Sequence, residues 1–202
     1  MRRALVLLSG WCLIALAIVV LVRVQLGVAP YDVLSTALAK QLNVAPGTAS
    51  WITCSGCLGV AYMLKVIPGI GTLAGAFVVG GLINLGLNLV ADIDPLVVRV
   101  PLFGCALIVM YLGVCCIIVS RVGAGPTELV TIGLMQRGLS IRAARWMVEG
   151  SCLIVGIVLG GSFGVGTVVL MAASGPLLGF LLPRVRRRTA LGNELVEDGD
   201  KV

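Results

Sequence analysis

The chain has 202 residues, of which 59% are apolar and only 12% charged, and its mean hydropathy is +1.11. Soluble domains carry about 25% charged residues, so this composition excludes a water-soluble globular enzyme and predicts a membrane protein. The net charge of +6 does not indicate nucleic-acid binding, because the basic residues sit at the ends of apolar segments with no aromatic-rich basic surface between them.

Six apolar stretches are long enough to span a bilayer, since about 20 helical residues cross a hydrocarbon core of about 30 Å. The first, residues 4–22, follows two arginines and precedes no A-x-A cleavage site, so we interpret it as an uncleaved transmembrane helix. The other five cover residues 45–64, 66–91, 100–120, 143–161 and 164–183. Two further segments, 30–42 and 126–137, are too short to cross and are predicted to be re-entrant or interfacial helices.

An internal repeat is the most informative feature of the sequence. Residues 27–35 and 123–131 share the pattern G-x-x-P-x-[D/E]-x-x-[S/T], and a Gly-x-Gly-Thr motif follows each of them. The matched residues are Gly27, Pro30, Asp32 and Ser35 with Gly123, Pro126, Glu128 and Thr131, then Gly69, Gly71 and Thr72 with Gly164, Gly166 and Thr167. The two motifs begin 42 residues apart in the first copy and 41 in the second, which indicates a gene duplication.

Each copy holds three predicted spans, an odd number, so the second copy must enter the membrane from the opposite side. We therefore predict an all-α polytopic membrane protein with six transmembrane helices, built as an inverted repeat of two three-span halves. Each half has one short re-entrant or interfacial helix after its first span. A single membrane domain would cover residues 1–183, with repeats over about 4–92 and 98–183, followed by a tail over 184–202.

The distribution of lysine and arginine predicts that both termini are cytoplasmic. With six spans, the inner side would hold Arg2, Arg3, Lys65, Arg121, Arg137, Arg142, Arg145 and the cluster Arg184, Arg186, Arg187 and Arg188. The outer side would hold only Arg23, Lys40 and Arg99. The tail is basic and then acidic, contains nothing that could bury a core, and is expected to be disordered.

The paired motifs resemble those of the bacterial YczE/YitT-type membrane proteins. The resemblance covers about residues 4–183 and depends on the Gly-x-Gly-Pro-type motif with its following acid and on the Gly-x-Gly-Thr motif. It implies a protein of the bacterial plasma membrane and transfers no functional residue. The first motif departs from the glycine-rich form, with Ala29 where the second copy has Gly125.

The motif acids have two interpretations. A proline in the first helical turn with an acid two residues later is a typical helix start, because the carboxylate complements the positive end of the helix dipole. Alternatively, Asp32 with Ser35, and Glu128 with Thr131, share a helix face and form a pair of binding sites for a cation or proton. Irregular backbone at membrane depth is tolerated where it is buried in protein or lines a watery cavity.

Three further polar residues lie inside predicted spans. Glu149 is one turn from Arg145, which predicts a local ion pair or, alternatively, a proton-coupling or substrate-binding carboxylate. Asn84 and Asn88 would line a polar pathway or join helices by hydrogen bonds. The Gly-x-Gly-Thr motifs serve as turns or bind an anion through their backbone amides.

The sequence gives little support for a metal site or for a nucleophilic active site. The seven cysteines lie in apolar runs and are interpreted as small packing residues, although Cys54 and Cys57 form a C-x-x-C that could bind a soft metal. The chain has no histidine and no complete nucleotide-binding motif. We expect no enzymatic activity, no cofactor and no metal site.

Two functions remain after these exclusions. The first is a small secondary transporter or exporter of a small solute, with a site at the interface between the repeats containing Asp32, Ser35, Asn84, Glu128, Thr131 and Glu149. The competing hypothesis is a non-transporting membrane scaffold or accessory protein that binds a protein partner, in which the cluster 184–188 contacts that partner or anionic lipid. The expected partners are the lipid bilayer and the solute, not nucleic acid, and homodimerisation is left open.

Overall fold

Every regular element of the described residues is an α-helix. The structure is a computed structural model that describes residues 2–91, 93–120, 122–123 and 125–189. Its helices are α1 (Arg2–Val24), α2 (Pro30–Leu42), α3 (Pro46–Met63), α4 (Ile70–Leu89), α5 (Leu96–Ser120), α6 (Pro126–Met135), α7 (Ile141–Val158) and α8 (Val165–Arg188). No strand occurs in those ranges, so the all-α prediction is confirmed, and each predicted segment contains one helix.

Four of the described helices are long and apolar enough to cross a membrane, namely Arg3–Val24, Ile70–Leu89, Leu96–Ser120 and Val165–Arg187. α3 and α7 have 18 residues each. Small and hydroxyl residues lower the hydropathy of α3, and α7 contains Arg142, Arg145 and Glu149. The crossing of the membrane by these two helices therefore stays a prediction, whereas the other four have the composition of a membrane protein.

Proline fixes where three helices begin. Pro30, Pro46 and Pro126 occupy the first turns of α2, α3 and α6, where the missing N–H would have no intrahelical partner. α2 ends at Asn43, which adopts the left-handed conformation with φ of 52° and whose N–H bonds to the Ala39 carbonyl. The short helices are thus separate elements, and their lengths follow from local sequence signals.

The central pair of the fold consists of α1 and α5, the first helices of the two sequence copies. Gly10 and Gly113 face each other, and a Cβ at Gly10 would come within 3.0 Å of the Gly113 carbonyl oxygen. Near the start of α5, Arg99 donates to the Val24 carbonyl at the end of α1. The two helices therefore run antiparallel, in close backbone contact.

The short helix of each copy packs on the other copy, with α2 on α7 and α6 on α3. Equivalent positions of the copies, 96 residues apart, make equivalent contacts. Gln41 at the end of α2 donates to the Leu159 carbonyl at 3.1 Å, and Arg137 after α6 donates to the Met63 carbonyl at the same distance. The two copies are therefore interleaved, each satisfying backbone groups at a helix end of the other.

The glycine motifs are paired between copies as well. A Cβ at Gly27 would lie 2.6 Å from the Thr167 nitrogen, and a Cβ at Gly123 would lie 2.6 Å from the Thr72 nitrogen. The Gly166 N–H donates to the Leu26 carbonyl at 2.7 Å. Each first motif therefore contacts the second motif of the opposite copy, at distances that only glycine allows.

One contact breaks the equivalence of the copies. α3 packs on α4, where the Gly47 N–H donates to Asn84 Oδ1 at 2.8 Å, but α7 makes no comparable contact with α8 in the part of the chain that the structure describes. The positions of α8 that match Gly80 and Asn84 are Gly175 and Gly179, and a Cβ at either would meet nothing within 4 Å. The face of α4 that α3 covers therefore corresponds to a face of α8 that α7 leaves uncovered.

Helix α8 extends further than the sequence predicts. It continues to Arg188, so the expected disorder from residue 184 is corrected for residues 184–188. Arginine is a good helix former, and the basic cluster simply prolongs the last turn of the apolar helix. The acidic remainder of the predicted tail lies outside the described residues.

The contact between α3 and α4 can be tested with adjacent glycines of α4. A side chain at Gly80 would collide with Trp51 at 2.0 Å and with the Gly47 carbonyl at 2.9 Å, whereas Gly81 faces open space. We expect Gly80→Val to lower the stability by about 1–3 kcal/mol, as overpacked cores do. Thermal unfolding of the two variants in detergent measures the difference.

Gly81→Val is the matched control, because it places the same β-branched residue in the same helix and so has the same helix-propensity cost. Equal melting temperatures for the two variants would contradict the packing of α3 on α4.

Candidate functional site

Two cavities lie at the start of α6, and the smaller one also borders the start of α2. The smaller has a volume of about 200 Å³ and is lined by Ala29 and Asp32 from the start of α2 and by Gly125 and Glu128 from the start of α6. The matched acids of the two copies therefore line the same cavity. That these acids bind a solute stays a prediction.

Asp32 is the most unusual side chain of this space. It is only 4% exposed, yet its carboxylate takes part in no hydrogen bond or ion pair of the described residues. The N-cap of α2, Ala29, also receives no side-chain hydrogen bond, so Asp32 does not form a reciprocal capping box. A buried carboxylate without a partner is costly, which makes Asp32 a candidate ligand group rather than a structural cap.

Glu128 is half-buried and is held at the cavity wall by its own turn. The Thr127 hydroxyl donates to Glu128 Oε2 at 3.2 Å. A Cβ at Gly125 would come within 2.1 Å of the same oxygen, so a larger residue at this N-cap would displace the end of the Glu128 side chain. The first copy has Ala29 at the equivalent position.

The wall around the two acids is largely apolar. It contains Leu7, Trp11, Ile14, Ile18, Val79, Met110, Val114 and Ile117, together with Tyr31. The Tyr31 hydroxyl donates to the Ser50 carbonyl at 3.0 Å, which fixes the ring beside Asp32. A bound group would therefore contact two carboxylates, two aromatic rings and aliphatic side chains.

The larger cavity, of about 510 Å³, shares the Glu128 wall and extends along α6 towards the first turns of α7. Thr131, Arg145 and Glu149 line it. Arg145 Nε lies 2.9 Å from Glu149 Oε1, so the predicted local ion pair is present. Glu149 therefore has a counter-charge on its own helix, whereas Asp32 has no ion-pair partner among the described residues.

Two sequence-predicted site residues lie outside both linings and make structural hydrogen bonds instead. Ser35 donates to Thr53 Oγ1 at 3.0 Å and joins α2 to α3. Asn84 accepts from the Gly47 N–H and donates to Thr48 Oγ1 at 3.4 Å, so it caps the first turn of α3. The equivalents of Ser35 and Thr53 are Thr131 and Glu149, which stand on the wall of the larger cavity.

The motif glycines divide between the two ends of the molecule. Four motif residues line the smaller cavity, namely Gly71, Thr72, Gly123 and Pro126. Gly27, Gly164, Gly166 and Thr167 form the matching contact at the opposite end, outside both cavities. Pro30 and Gly69 take part in helix starts. The motifs act mainly through close backbone approach.

Sequence reasoning missed Trp11 and Tyr31 as cavity residues. Tyr31 precedes Asp32, but adjacent residues of a helix point in different directions, so its place on the wall was not evident. Trp11 carries no motif, and nothing in the sequence indicated its position. All seven cysteines are free thiols, and Cys54 lines the smaller cavity.

Comparison with known proteins identifies relatives along most of the chain. An uncharacterized protein of Haemophilus influenzae is 29% identical over 163 residues, which cover 80% of this chain and 75% of the relative. The uncharacterized Bacillus subtilis protein YyaS is 28% identical, with 88% of this chain and 91% of that protein covered. The uncharacterized membrane protein YczE of Bacillus subtilis is 24% identical, covering 82% and 81%. No solved structure matches the chain.

The resemblance to YczE-type proteins that the motifs indicated is therefore confirmed. The apolar helices and the YczE relative agree that this is a membrane protein. A family model matches residues 1–183, which include all of the paired motifs and both cavities. The chain belongs to the family of unknown function DUF6198.

Proposed function

We propose that this protein is a small secondary transporter or exporter of a small solute in the bacterial plasma membrane, with no enzymatic activity of its own. Its solute site is the space between the starts of α2 and α6. One observation carries the proposal: Asp32 and Glu128, matched residues of two duplicated copies, face a single cavity. Many secondary transporters have their site at the interface of inverted repeats.

Six membrane crossings, with α3 and α7 among them, are part of the proposal. The antiparallel contact of α1 and α5 supports an inverted arrangement, since these are the first helices of the two copies. Both termini are then cytoplasmic, in keeping with the excess of arginine on that side. α2 and α6 enter from opposite faces and meet at the cavity as re-entrant helices.

The difference between the two copies supports alternating access. On the first-copy side, the Ser35 to Thr53 hydrogen bond and the packing of α3 on α4 close the path. On the second-copy side, the equivalent Thr131 and Glu149 border an open cavity, and α7 stands apart from α8. In a second conformation, α3 would stand apart from α4 and α7 would pack on α8. The cavity would then be open on the first-copy side and closed on the second-copy side.

A disulfide trap tests this second conformation. Ala143 and Gly179 are the equivalents of Gly47 and Asn84, so they come together only when α7 closes on α8 as α3 does on α4. In a background without the seven native cysteines, we expect Ala143→Cys with Gly179→Cys to form a disulfide under mild oxidation in membranes. Gel mobility after protease cleavage between α7 and α8 measures the cross-link.

Ala143→Cys with Leu177→Cys is the control pair, because Leu177 packs against the core on another face of α8. If neither pair cross-links, the chain is held in one conformation, and the non-transporting scaffold becomes the better hypothesis. Deletion of residues 184–188 would then be the decisive variant, since that cluster is the scaffold's candidate contact with lipid or protein.

The stability of Asp32→Asn separates a binding group from a helix cap. At alkaline pH the ionised Asp32 carboxylate is buried without a partner, so its replacement by a neutral amide should raise the melting temperature. A cap would give the opposite sign, because a carboxylate in the first turn stabilises a helix by about 0.3–1 kcal/mol. Differential scanning fluorimetry of the purified protein measures the shift.

Asp94→Asn provides the control, since Asp94 is an exposed acid in the segment before α5 and should change the melting temperature little. A fall in the melting temperature of Asp32→Asn would return Asp32 to a purely structural role.

A further inference from the structure

We infer that the smaller cavity binds a monovalent organic cation, with its charge beside Asp32 and Glu128 and its apolar part against Trp11 and Tyr31. The inference deepens the proposed function, because it assigns a chemical class to the solute of that same site. It depends on the charge of the cavity, the character of its wall and the unpartnered state of Asp32. Each of these is an independent property of the described residues.

The charge of the cavity favours one positive charge. Among the described residues that line it, Asp32 and Glu128 are the acids, and no lysine or arginine is present. The N-terminal ends of α2 and α6 also face the space, and each helix start contributes about half a positive charge. With both carboxylates ionised, the cavity therefore holds about one net negative charge.

The wall of the cavity favours an organic cation over a small metal ion. Hard metal ions need six or more oxygen ligands, whereas most of this wall is aliphatic or aromatic. Trp11 and Tyr31 line the cavity, and aromatic rings attract ammonium groups when water is excluded. A volume of about 200 Å³ accommodates a cation with a single ring.

Asp32 is the group in this cavity that most favours a cationic ligand. Its side chain is 4% exposed, lines the cavity and has no hydrogen-bond or ion-pair partner in the described structure. Glu149, which lies in α7, has Arg145 at 2.9 Å. A bound cation would give Asp32 the counter-charge that Arg145 gives Glu149.

Calorimetric titration of the purified full chain in lipid nanodiscs tests the inference, with empty discs as the blank. The probes are benzyltrimethylammonium and benzylsulfonate, which carry the same benzyl group with opposite charges. We expect saturable binding of the cation only, weakened at least tenfold in Asp32→Asn and retained in Asp32→Glu. Asp94→Asn serves as the control and should bind as the unsubstituted protein does.

Glu128→Gln provides a second test if Asp32→Asn fails to fold, and it should weaken the binding of the cation as well. Absence of cation binding, equal binding of the sulfonate, or unchanged binding in both variants would overturn the inference. Cation binding without the cross-link between positions 143 and 179 would retain the inference and reject the transporter. The cross-link without cation binding would retain the transporter and reject this class of solute.

Discussion

The fold depends on satisfying the backbone of two chain breaks in apolar surroundings. Between α1 and α2, and at the described residues between α5 and α6, the backbone leaves the helical path, so its amides and carbonyls need partners outside their own helices. Each break is covered by the Gly-x-Gly-Thr motif of the opposite copy, as in the bond from Gly166 to the Leu26 carbonyl. Glycine is required because a Cβ at Gly71 would stand 2.5 Å from the Val122 carbonyl oxygen.

The starts of α2 and α6 both contribute to the smaller cavity, so Asp32 and Glu128 line one space although 96 residues separate them. The two acids have different surroundings, because Glu128 accepts a hydrogen bond from the Thr127 hydroxyl of its own turn and Asp32 accepts none from the described residues of its turn. The matched segments of the sequence thus contribute two unlike walls to one cavity.

The helices were readable from the sequence, because proline at helix starts and apolar run length are local signals. Pro30 and Pro126 set the short helices, and the matched motifs indicated that Asp32 belongs with Glu128. The pairing of each motif with the opposite copy was not readable, since a repeat pattern does not say which copy contacts which. The partner of Ser35 was hidden, because nothing in the sequence pairs it with Thr53 of α3, whereas the hydrogen bond of Asn84 to a neighbouring helix was one of its two expected roles.

Interleaving of the copies has a consequence for the order of folding. α2 rests on α7, through bonds such as Lys40 to the Gly160 carbonyl, which join residues 120 positions apart. During synthesis α2 can pack on α3 as soon as both helices exist, but its contact with α7 forms only after more than half of the chain has been made. Long-range contacts of this kind slow folding and leave the early segments exposed to wrong partners. Neither copy can complete its own packing alone, so the chain matures as one cooperative unit rather than as two successive halves.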